Sequence, residues 1–504
     1  MSRESKFTSV SSISSSRHAP RTVGLIGGGI IGGGWAARFI LNGVDVRLYD
    51  PAPDALDAVQ KMLAKARRAY RDLTIVPLPA EGSLTVVDSV EEAVRDVEIV
   101  QESAPERLEL KQELLIAASR AASRETLICS STSGFLPSLL QERTSHPERV
   151  LVGHPFNPVH LLPLVEVCGG QSTDWHALER AAEIYRSVGM QALIMRKEVD
   201  GFIANRLQEA VWREALWLVH DDVATVQDVD DAVRFSVGLR RPVLGPIQGY
   251  RISVAEQNAR NAMERLGRSL KLPYSKLTDV PELTEVFLDK LSHQLDAQAE
   301  NLTVAELEQK RDDCIVAMLR GLRTQDYGAG QTLARWEREL RERAPQLTND
   351  SGPLRMPTLE MPSVWLDYNG HVTERRYLQL CGYATEYLLR HFGIDSEYRA
   401  DSGSFHTLET HLSHLGALRA GDQVEVLTQV LDADEKRLHL FHVIRREGDE
   451  KPACTGEQML IHVSAASGRS APVLGKVRDR ILDVSRLHAA LPRPQLSGAS
   501  IRMR

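Results

Sequence analysis

The sequence predicts three successive architectures: a doubly wound α/β domain, an all-helical domain and an α+β domain. Short apolar runs alternate with amphipathic stretches from Thr22 to about residue 197, which is typical of a parallel, doubly wound sheet. Long stretches with helical spacing and few turn residues follow between residues 201 and 320. Beyond residue 356, one helical stretch precedes several consecutive β-like runs, which indicates a sheet that wraps a helix.

In the first domain, the apolar runs predict buried strands and the amphipathic stretches between them predict helices. Strands are expected at residues 23–26, 44–48, 84–87, 97–100, 127–129, 150–152 and 164–167. Helices are expected at residues 55–70 and 108–119. Because helices separate the early strands, we expect the strands to run parallel to one another.

The second domain is predicted from three helical stretches at residues 201–221, 226–237 and 285–320. The first of these carries a stripe of Trp212, Leu216, Trp217 and Val219. We interpret the stripe as a packing surface, because a helix buries its apolar face by default. The helical domain is therefore expected to pair the subunits of a homodimer.

The third domain is predicted as a short strand at residues 358–364, a long helix at Glu374–His391 and four more strands. Those strands are expected at residues 404–412, 423–430, 437–445 and 453–463, with turn residues between them. A single helix followed by antiparallel strands predicts an α+β layer.

The boundaries follow from changes in texture along the chain. We expect a disordered, Ser-rich tail at residues 1–19, the α/β domain at 20–198 and the helical domain at 199–325. A linker is expected at 326–355, in which the charged run 335–343 forms a solvated helix. The α+β domain is expected at 356–465 and a C-terminal extension at 466–504.

Composition excludes several classes of protein. A chain of 504 residues with 42% apolar and 26% charged residues is a globular protein of several domains. A net charge of -7 argues against a nucleic-acid or polybasic membrane binder, and no apolar run is long enough for a membrane helix. The five scattered cysteines contain no CxxC pair, which disfavours a disulfide framework and a metal site and favours the reducing cytoplasm.

A glycine-rich turn predicts a dinucleotide site of the Rossmann type. Gly27, Gly29 and Gly32 form a GxGxxG motif between the first predicted strand and an apolar helical run. Gly27 permits the tight turn, Gly29 admits a pyrophosphate and Gly32 allows close helix–strand packing. Asp50 ends the second strand, where a carboxylate accepts hydrogen bonds from a ribose and repels a 2′-phosphate, so the predicted cofactor is NAD.

A histidine and a glutamate at the ends of later strands predict acid–base chemistry. His154 follows the strand at 150–152, at the carboxyl edge where parallel sheets bind ligands. Glu166 lies on the next strand, so we expect its carboxylate to orient the imidazole. Oxidation of a secondary alcohol needs such an oriented base beside the nicotinamide.

These motifs make residues 20–325 resemble the L-3-hydroxyacyl-CoA dehydrogenase superfamily. Its active site combines a Ser in a TSS-type turn, a His before FNP, a Glu in LVEV and an Asn in GFIxNR. The resemblance places these roles on Ser133, His154, Glu166 and Asn205. It implies that Ser133 and Asn205 hold the substrate oxygen while His154 takes the hydroxyl proton.

One departure from that superfamily concerns the substrate. Its acyl-CoA members read His-Phe-Phe-Asn-Pro, whereas this chain has Pro155 after His154 and lacks an obvious basic cluster for a CoA phosphate. It resembles most the free-acid branch of L-carnitine 3-dehydrogenases, and next the gulonate dehydrogenase (lambda-crystallin) branch. A trimethylammonium group needs aromatic faces, and carnitine's carboxylate needs a basic or polar partner. The candidates are Phe156, Phe235 and Tyr250 for the cation, and Arg196, Arg206 and Arg240 for the carboxylate.

The third domain resembles the hotdog fold of the 4-hydroxybenzoyl-CoA thioesterase type across residues 356–465. The stretch from Trp365 to Val372, with Tyr377 beyond it, matches the Asp-x-x-Gly-His-Val pattern before the central helix. The resemblance makes Asp367 the catalytic carboxylate, as a general base or as a nucleophile on a thioester. The following Thr373 and Glu374 depart from the Asn-Asn that is frequent in the family.

Three functions remain open from the sequence. The first is a bifunctional enzyme that oxidises L-carnitine with NAD and hydrolyses betainyl-CoA to glycine betaine and CoA. The second is a 3-hydroxyacyl-CoA dehydrogenase joined to a general acyl-CoA thioesterase. The third is a crystallin-like structural protein that retains an NAD site. In each case a homodimer without nucleic-acid or membrane partners is expected.

Overall fold

A computed structural model describes residues 19–74, 76–243, 245–246, 282, 284–298, 302–343 and 351–499. The chain divides into two compact units. The first unit runs to Leu340, except for the short segment Thr74–Pro77 that clusters with the second, and the second unit begins at Arg341. The tail expected at 1–19 lies outside the described residues up to position 18.

The first unit opens with the alternation of strands and helices that the apolar pattern predicts. Its elements are β1 (Thr22–Ile26), α1 (Ile30–Leu41), β2 (Asp45–Tyr49), α2 (Ala55–Leu73), β3 (Leu84–Val87), α3 (Val90–Ala93), β4 (Ile99–Glu102), α4 (Leu108–Ala121), β5 (Leu127–Ser130), α5 (Pro137–Gln141), β6 (Val150–Pro155), β7 (Leu164–Gly169), α6 (Trp175–Ser187) and β8 (Gln191–Ile194). Buried side chains fill the central strands β1, β4, β5 and β6, which is why their apolar residues read as continuous runs. The expectation of a buried strand at 84–87 is wrong, because β3 lies at the edge of the sheet and Val86 is 43% exposed.

These strands form one sheet in the order β3-β2-β1-β4-β5-β6-β7-β8, which confirms the doubly wound class. The expectation that all strands are parallel is wrong, because β7 runs antiparallel to β6. Only residues 156–163 join the two strands, and a parallel crossover needs about a dozen residues. The sequence reading also missed β8, which pairs parallel to β7.

The helical part of this unit contains α7 (Ala204–His220), α8 (Val226–Ala232), the π-helical turn Val233–Val237, α9 (Gly238–Arg240), α10 (Glu285–Gln298), α11 (Val304–Thr324) and α12 (Ala329–Arg343). The helical stretch predicted at 285–320 therefore contains parts of two helices. Thr303 begins the second with a capping box to Glu306, so its side chain and that of Glu306 satisfy the free amides of a new helix.

The expectation of a solvated helix at 335–343 is wrong for one face of α12. Leu333, Trp336 and Leu340 are buried, and the Trp336 indole donates to Asn42 Oδ1 at 2.7 Å. The ring also packs edge-on against Tyr70 with centroids 5.4 Å apart. The charged run also contains an apolar stripe, and α12 up to Leu340 therefore belongs to the first unit rather than to a linker.

The second unit contains β9 (Leu354–Arg355), β10 (Leu359–Glu360), α13 (Glu374–His391), α14 (Ser396–Asp401), β11 (Ser404–His414), β12 (Gln423–Ala433), β13 (Arg437–Arg446), β14 (Cys454–Val463) and α15 (Gly475–His488). Its sheet has the order β10-β12-β13-β14-β11, with β9 beside β12. One face of α13 packs on the sheet, which confirms the hotdog-like α+β class. The strand expected at 358–364 ends at Glu360, because Pro362 has no amide to donate.

The C-terminal extension folds onto this sheet. Val477, Ile481 and Val484 of α15 share a buried cluster with Phe392 and Leu438. Their spacing of three and four residues is that of one helical face. Among the described residues, no helix has the length and apolar character to cross a membrane.

Candidate active sites

The glycine-rich turn between β1 and α1 has the geometry of a phosphate cradle. Gly27 has a left-handed φ of 97°, and a Cβ on Gly32 would lie 1.9 Å from the Gly27 carbonyl oxygen. By contrast, a Cβ on Gly29 would meet nothing within 4 Å, so open space lies before the helix. Since α1 begins there without a side-chain cap, its free amides and positive dipole end can receive an anionic group.

Asp50 lies at the end of β2, next to this turn. One carboxylate oxygen accepts from the Gly28 amide at 2.6 Å and the other from the Ala52 amide at 2.8 Å. Both bonds fix the carboxylate where a ribose hydroxyl of a dinucleotide would lie. The open space at Gly29, the uncapped helix and this carboxylate together fit NAD.

His154 and Glu166 face each other across the antiparallel pair β6–β7. The strand register sets them directly opposite, and His154 Nδ1 lies 2.9 Å from Glu166 Oε2. Glu166 is fully buried and His154 nearly so. Within the described chain, His154 Nε2 has no hydrogen-bond partner. The pair can therefore present Nε2 as a base while the carboxylate holds the proton on Nδ1.

Asn205 and Ser133 join this pair through the start of α7. Glu166 Oε1 accepts from the amides of Ile203 and Ala204 at 3.0 and 2.9 Å, immediately before Asn205. The Asn205 side chain in turn donates to the Ser133 carbonyl at 3.3 Å. The structure thus brings the four predicted residues close together, with Ser133 taking part through its backbone carbonyl.

The sequence analysis did not predict a buried ion pair next to the turn that carries Ser133. Lys111 Nζ lies 2.9 Å from Glu102 and 3.4 Å from Glu106, and Glu106 accepts from the Ser133 amide at 3.1 Å. These groups hold the turn that carries Ser133. The sequence did offer a signal, because the polar residues Gln101 and Glu102 directly follow the predicted strand at 97–100. Ligand-binding sites lie at the carboxyl ends of parallel strands.

Two aromatic rings flank the imidazole. The Phe156 ring lies 4.6 Å and the Phe202 ring 5.4 Å from the His154 ring, measured between centroids. Phe202 was also missed, although it lies inside the motif that contains Asn205. Phe156 is the cation candidate that the structure brings next to His154.

The other substrate candidates are more scattered. Phe235 is 79% exposed on the π-helical turn, and Tyr250 lies outside the described residues. Arg206 follows Asn205 on α7, where its guanidinium contacts the Asp200 carbonyl at 3.5 Å. Arg196 follows β8, and Arg240 ends α9 as an exposed residue.

In the second unit, Asp367 begins a tight turn before α13. Its Oδ1 accepts from the amides of Asn369 and His371 at 2.8 and 3.1 Å, while Gly370 takes a left-handed φ of 75°. The His371 amide, with a smaller contribution from Asn369, holds the pKa of this carboxyl below its usual range. Asp367 is therefore ionised near neutral pH.

Family models match both units. Residues 22–199 match the 3-hydroxyacyl-CoA dehydrogenase NAD binding domain, and residues 201–283 match its C-terminal domain. Residues 363–481 match the thioesterase-like superfamily. The protein is thus a multidomain enzyme in which an NAD-binding dehydrogenase of the 3-hydroxyacyl type precedes a thioesterase-like domain, and the prediction of NAD is confirmed.

Similar proteins with known names indicate which family of dehydrogenases and thioesterases the chain belongs to. The chain is 42% identical over 483 residues to the L-carnitine dehydrogenase/betainyl-CoA thioesterase of Rhizobium meliloti, covering 94% of this chain and 97% of the relative. Over 303 residues it is 48% identical to the L-carnitine dehydrogenase of Pseudomonas aeruginosa, covering 60% and 94%. The chain belongs to the family of L-carnitine dehydrogenase/betainyl-CoA thioesterases.

A solved structure resembles the first unit. It is the 5-dehydrogenase of 5-formyl-3-hydroxy-2-methylpyridine 4-carboxylic acid, described as an NAD+ dependent dismutase. It is 27% identical, with a TM-score of 0.50 over 60% of this chain and 98% of that chain.

Proposed function

We propose that this chain oxidises L-carnitine to 3-dehydrocarnitine with NAD and hydrolyses betainyl-CoA to glycine betaine and CoA. The observation that carries the first activity is the buried Glu166 carboxylate, which joins His154 to the helix that bears Asn205. Sequence similarity to bifunctional relatives over nearly the whole chain supports the pairing of the two activities.

The proposed oxidation uses His154 as the base. Its Nε2 takes the proton of the C3 hydroxyl while Glu166 stabilises the imidazolium that forms. Asn205 and Ser133 hold the substrate oxygen in place, and the bound NAD supplies the hydride acceptor. The buried setting of His154 and Glu166 keeps bulk water from competing for these hydrogen bonds.

We propose Phe156 as a contact for the trimethylammonium group. In carnitine this group is bonded to the carbon next to the one that bears the hydroxyl, and the Phe156 ring lies 4.6 Å from the His154 ring, measured between centroids. An aromatic face attracts a quaternary cation, which has no N–H to donate. Arg206, one residue after Asn205, is the proposed partner of the carboxylate.

The proposed hydrolysis uses Asp367. Its ionised carboxylate attacks the thioester carbonyl or activates a water molecule for that attack. The amides that begin α13 carry the positive end of the helix dipole, which would stabilise a developing oxyanion.

A substrate panel tests the two activities in the intact protein. NADH formation is measured with L-carnitine, L-gulonate, 3-hydroxybutyrate and 3-hydroxybutyryl-CoA, with His154→Asn as the control. CoA release is measured from betainyl-CoA and from short acyl-CoAs, with Asp367→Ala as the control. Turnover of only the hydroxyacyl-CoA would overturn the carnitine assignment, and equal CoA release by wild type and Asp367→Ala would remove the second site.

We also propose a cytoplasmic homodimer. On α7, Leu207, Val211 and Trp212 are more than half exposed and lie on neighbouring turns, as a pairing surface requires. The five cysteines are free thiols, which suits a reducing compartment. Sedimentation equilibrium of the full chain tests the dimer, and a mass of 56.1 kDa would contradict it.

A further inference from the structure

The chain takes a strained path just before α7. Gly201 and Phe202 both have left-handed backbones, with φ of 69° and 51°. Glycine adopts this conformation freely, but a bulky residue with a Cβ does so rarely. Phe202 is also completely buried, so the surrounding structure must hold it in this conformation.

This backbone turn aims two amides at the buried carboxylate. Ile203 is the N-cap of α7 and has no side chain that could cap the helix. Its amide and that of Ala204 instead donate to Glu166 Oε1. A carboxylate is a favoured partner of helix N-terminal amides, so Glu166 acts as the cap from a distant strand.

The cap fixes the position of Asn205 relative to the base. Asn205 lies in the first turn of α7, one residue after the second capped amide. Because the other oxygen of the same carboxylate holds His154, any shift of the cap moves Asn205 and His154 apart. The Phe202 ring adds a second restraint, since it packs on the imidazole with an interplanar angle of 37°.

We propose that Phe202 is a positioning residue of the dehydrogenase site, acting through its left-handed backbone on Asn205 and through its ring on His154. This inference rests on the proposed function for its substrate. It assigns the two parts of one residue to two different tasks, and they can be separated by substitution.

Phe202→Gly and Phe202→Ala separate the tasks. Both remove the ring, but only glycine adopts the left-handed backbone without a steric penalty. The penalty for alanine corresponds to about a tenfold change in the equilibrium between the left-handed conformation and the alternatives. We expect Phe202→Gly to lower kcat while KM for L-carnitine stays near the wild-type value. Phe202→Ala is expected to lower kcat further and to raise KM about tenfold, because Asn205 is displaced.

Amide hydrogen exchange in the segment 201–207 gives a readout that needs no substrate. We expect the Ile203 and Ala204 amides to stay protected in Phe202→Gly and to lose protection in Phe202→Ala. NAD affinity and CoA release are measured in each variant to show that both units remain folded. A double-mutant cycle of Phe202→Ala with Asn205→Ala should be non-additive in KM, whereas a cycle with Asp50→Ala should be additive.

Equal KM values and equal exchange in the glycine and alanine variants would overturn the positioning role. An additive cycle with Asn205→Ala would do the same. If wild type does not oxidise L-carnitine, the proposed function fails. The exchange comparison then still decides whether Phe202 sets the cap.

Discussion

Replacing Glu166 by glutamine tests the hydrogen bonds that join His154 to α7, because it exchanges one carboxylate oxygen for an NH₂ group and keeps the size of the side chain. Oε1 faces two amide donors and Oε2 faces His154 Nδ1. If the glutamine carbonyl takes the Oε1 position, its NH₂ group faces Nδ1. Nδ1 must then accept, the imidazole proton moves to Nε2, and the base is blocked.

The opposite orientation of the amide restores the tautomer at a cost set by the same contacts. The NH₂ group would then face the Ile203 and Ala204 amides and leave both without an acceptor. Each unpaired buried donor costs about 1–3 kcal/mol, so the competent orientation lies about 2–6 kcal/mol above the blocked one. We therefore expect Glu166→Gln to lower kcat by a factor between about 30 and about 2.5 × 10⁴.

The assay is steady-state NADH formation from L-carnitine by the full chain. NAD affinity and CoA release from betainyl-CoA serve as controls for the fold, and neither should change. Glu166→Asp is the matched variant, because it keeps the charge and the acceptors but shortens the reach. A kcat for Glu166→Gln within fivefold of wild type, with controls intact, would refute the tautomer argument.

Three further changes probe the rest of the molecule. Gly32→Ala should weaken NAD binding by at least about tenfold in titrations, because the new Cβ would overlap the Gly27 carbonyl oxygen. Trp336→Ala should lower the free energy of unfolding of the first unit by about 3–5 kcal/mol in urea, because a buried ring and its hydrogen bond to Asn42 are lost. CoA release should persist as the pH falls through the usual aspartate range, because the depressed pKa of Asp367 keeps it ionised until lower pH, and Asp367→Asn should abolish release at every pH.

Each of these predictions has a control variant or a result that would contradict it. An alanine at Gly29, where the space is open, should leave unfolding unchanged while it hinders the phosphate cradle. Unchanged unfolding of Trp336→Ala would restore the linker interpretation of α12. CoA release that falls with a midpoint in the ordinary aspartate range would contradict the role of the His371 amide.

The local sequence was enough to predict the motifs whose functional residues lie close together in the chain or at the end of one strand. The GxGxxG turn, Asp50 at a strand end and Asp367 in its hairpin are each built from neighbours in sequence, so spacing alone indicates them. The same is true of the three predicted architectures, because apolar periodicity reports which faces are buried. His154 and Glu166 were indicated by their places on neighbouring strands and then by the family resemblance, whereas Ser133 and Asn205 came from the resemblance alone. The roles of all four stay predictions.

Contacts between distant segments were decided by the tertiary structure alone. The reversal of β7 follows from a connection too short for a crossover, and it sets Glu166 opposite His154. The burial of Trp336 depends on Asn42 and Tyr70, which lie far away in sequence. No local signal predicts the cap that Glu166 provides for α7, because the two segments lie far apart in sequence. The left-handed backbone of Phe202 has no local signal either, because a strained conformation persists only where the surrounding packing holds it.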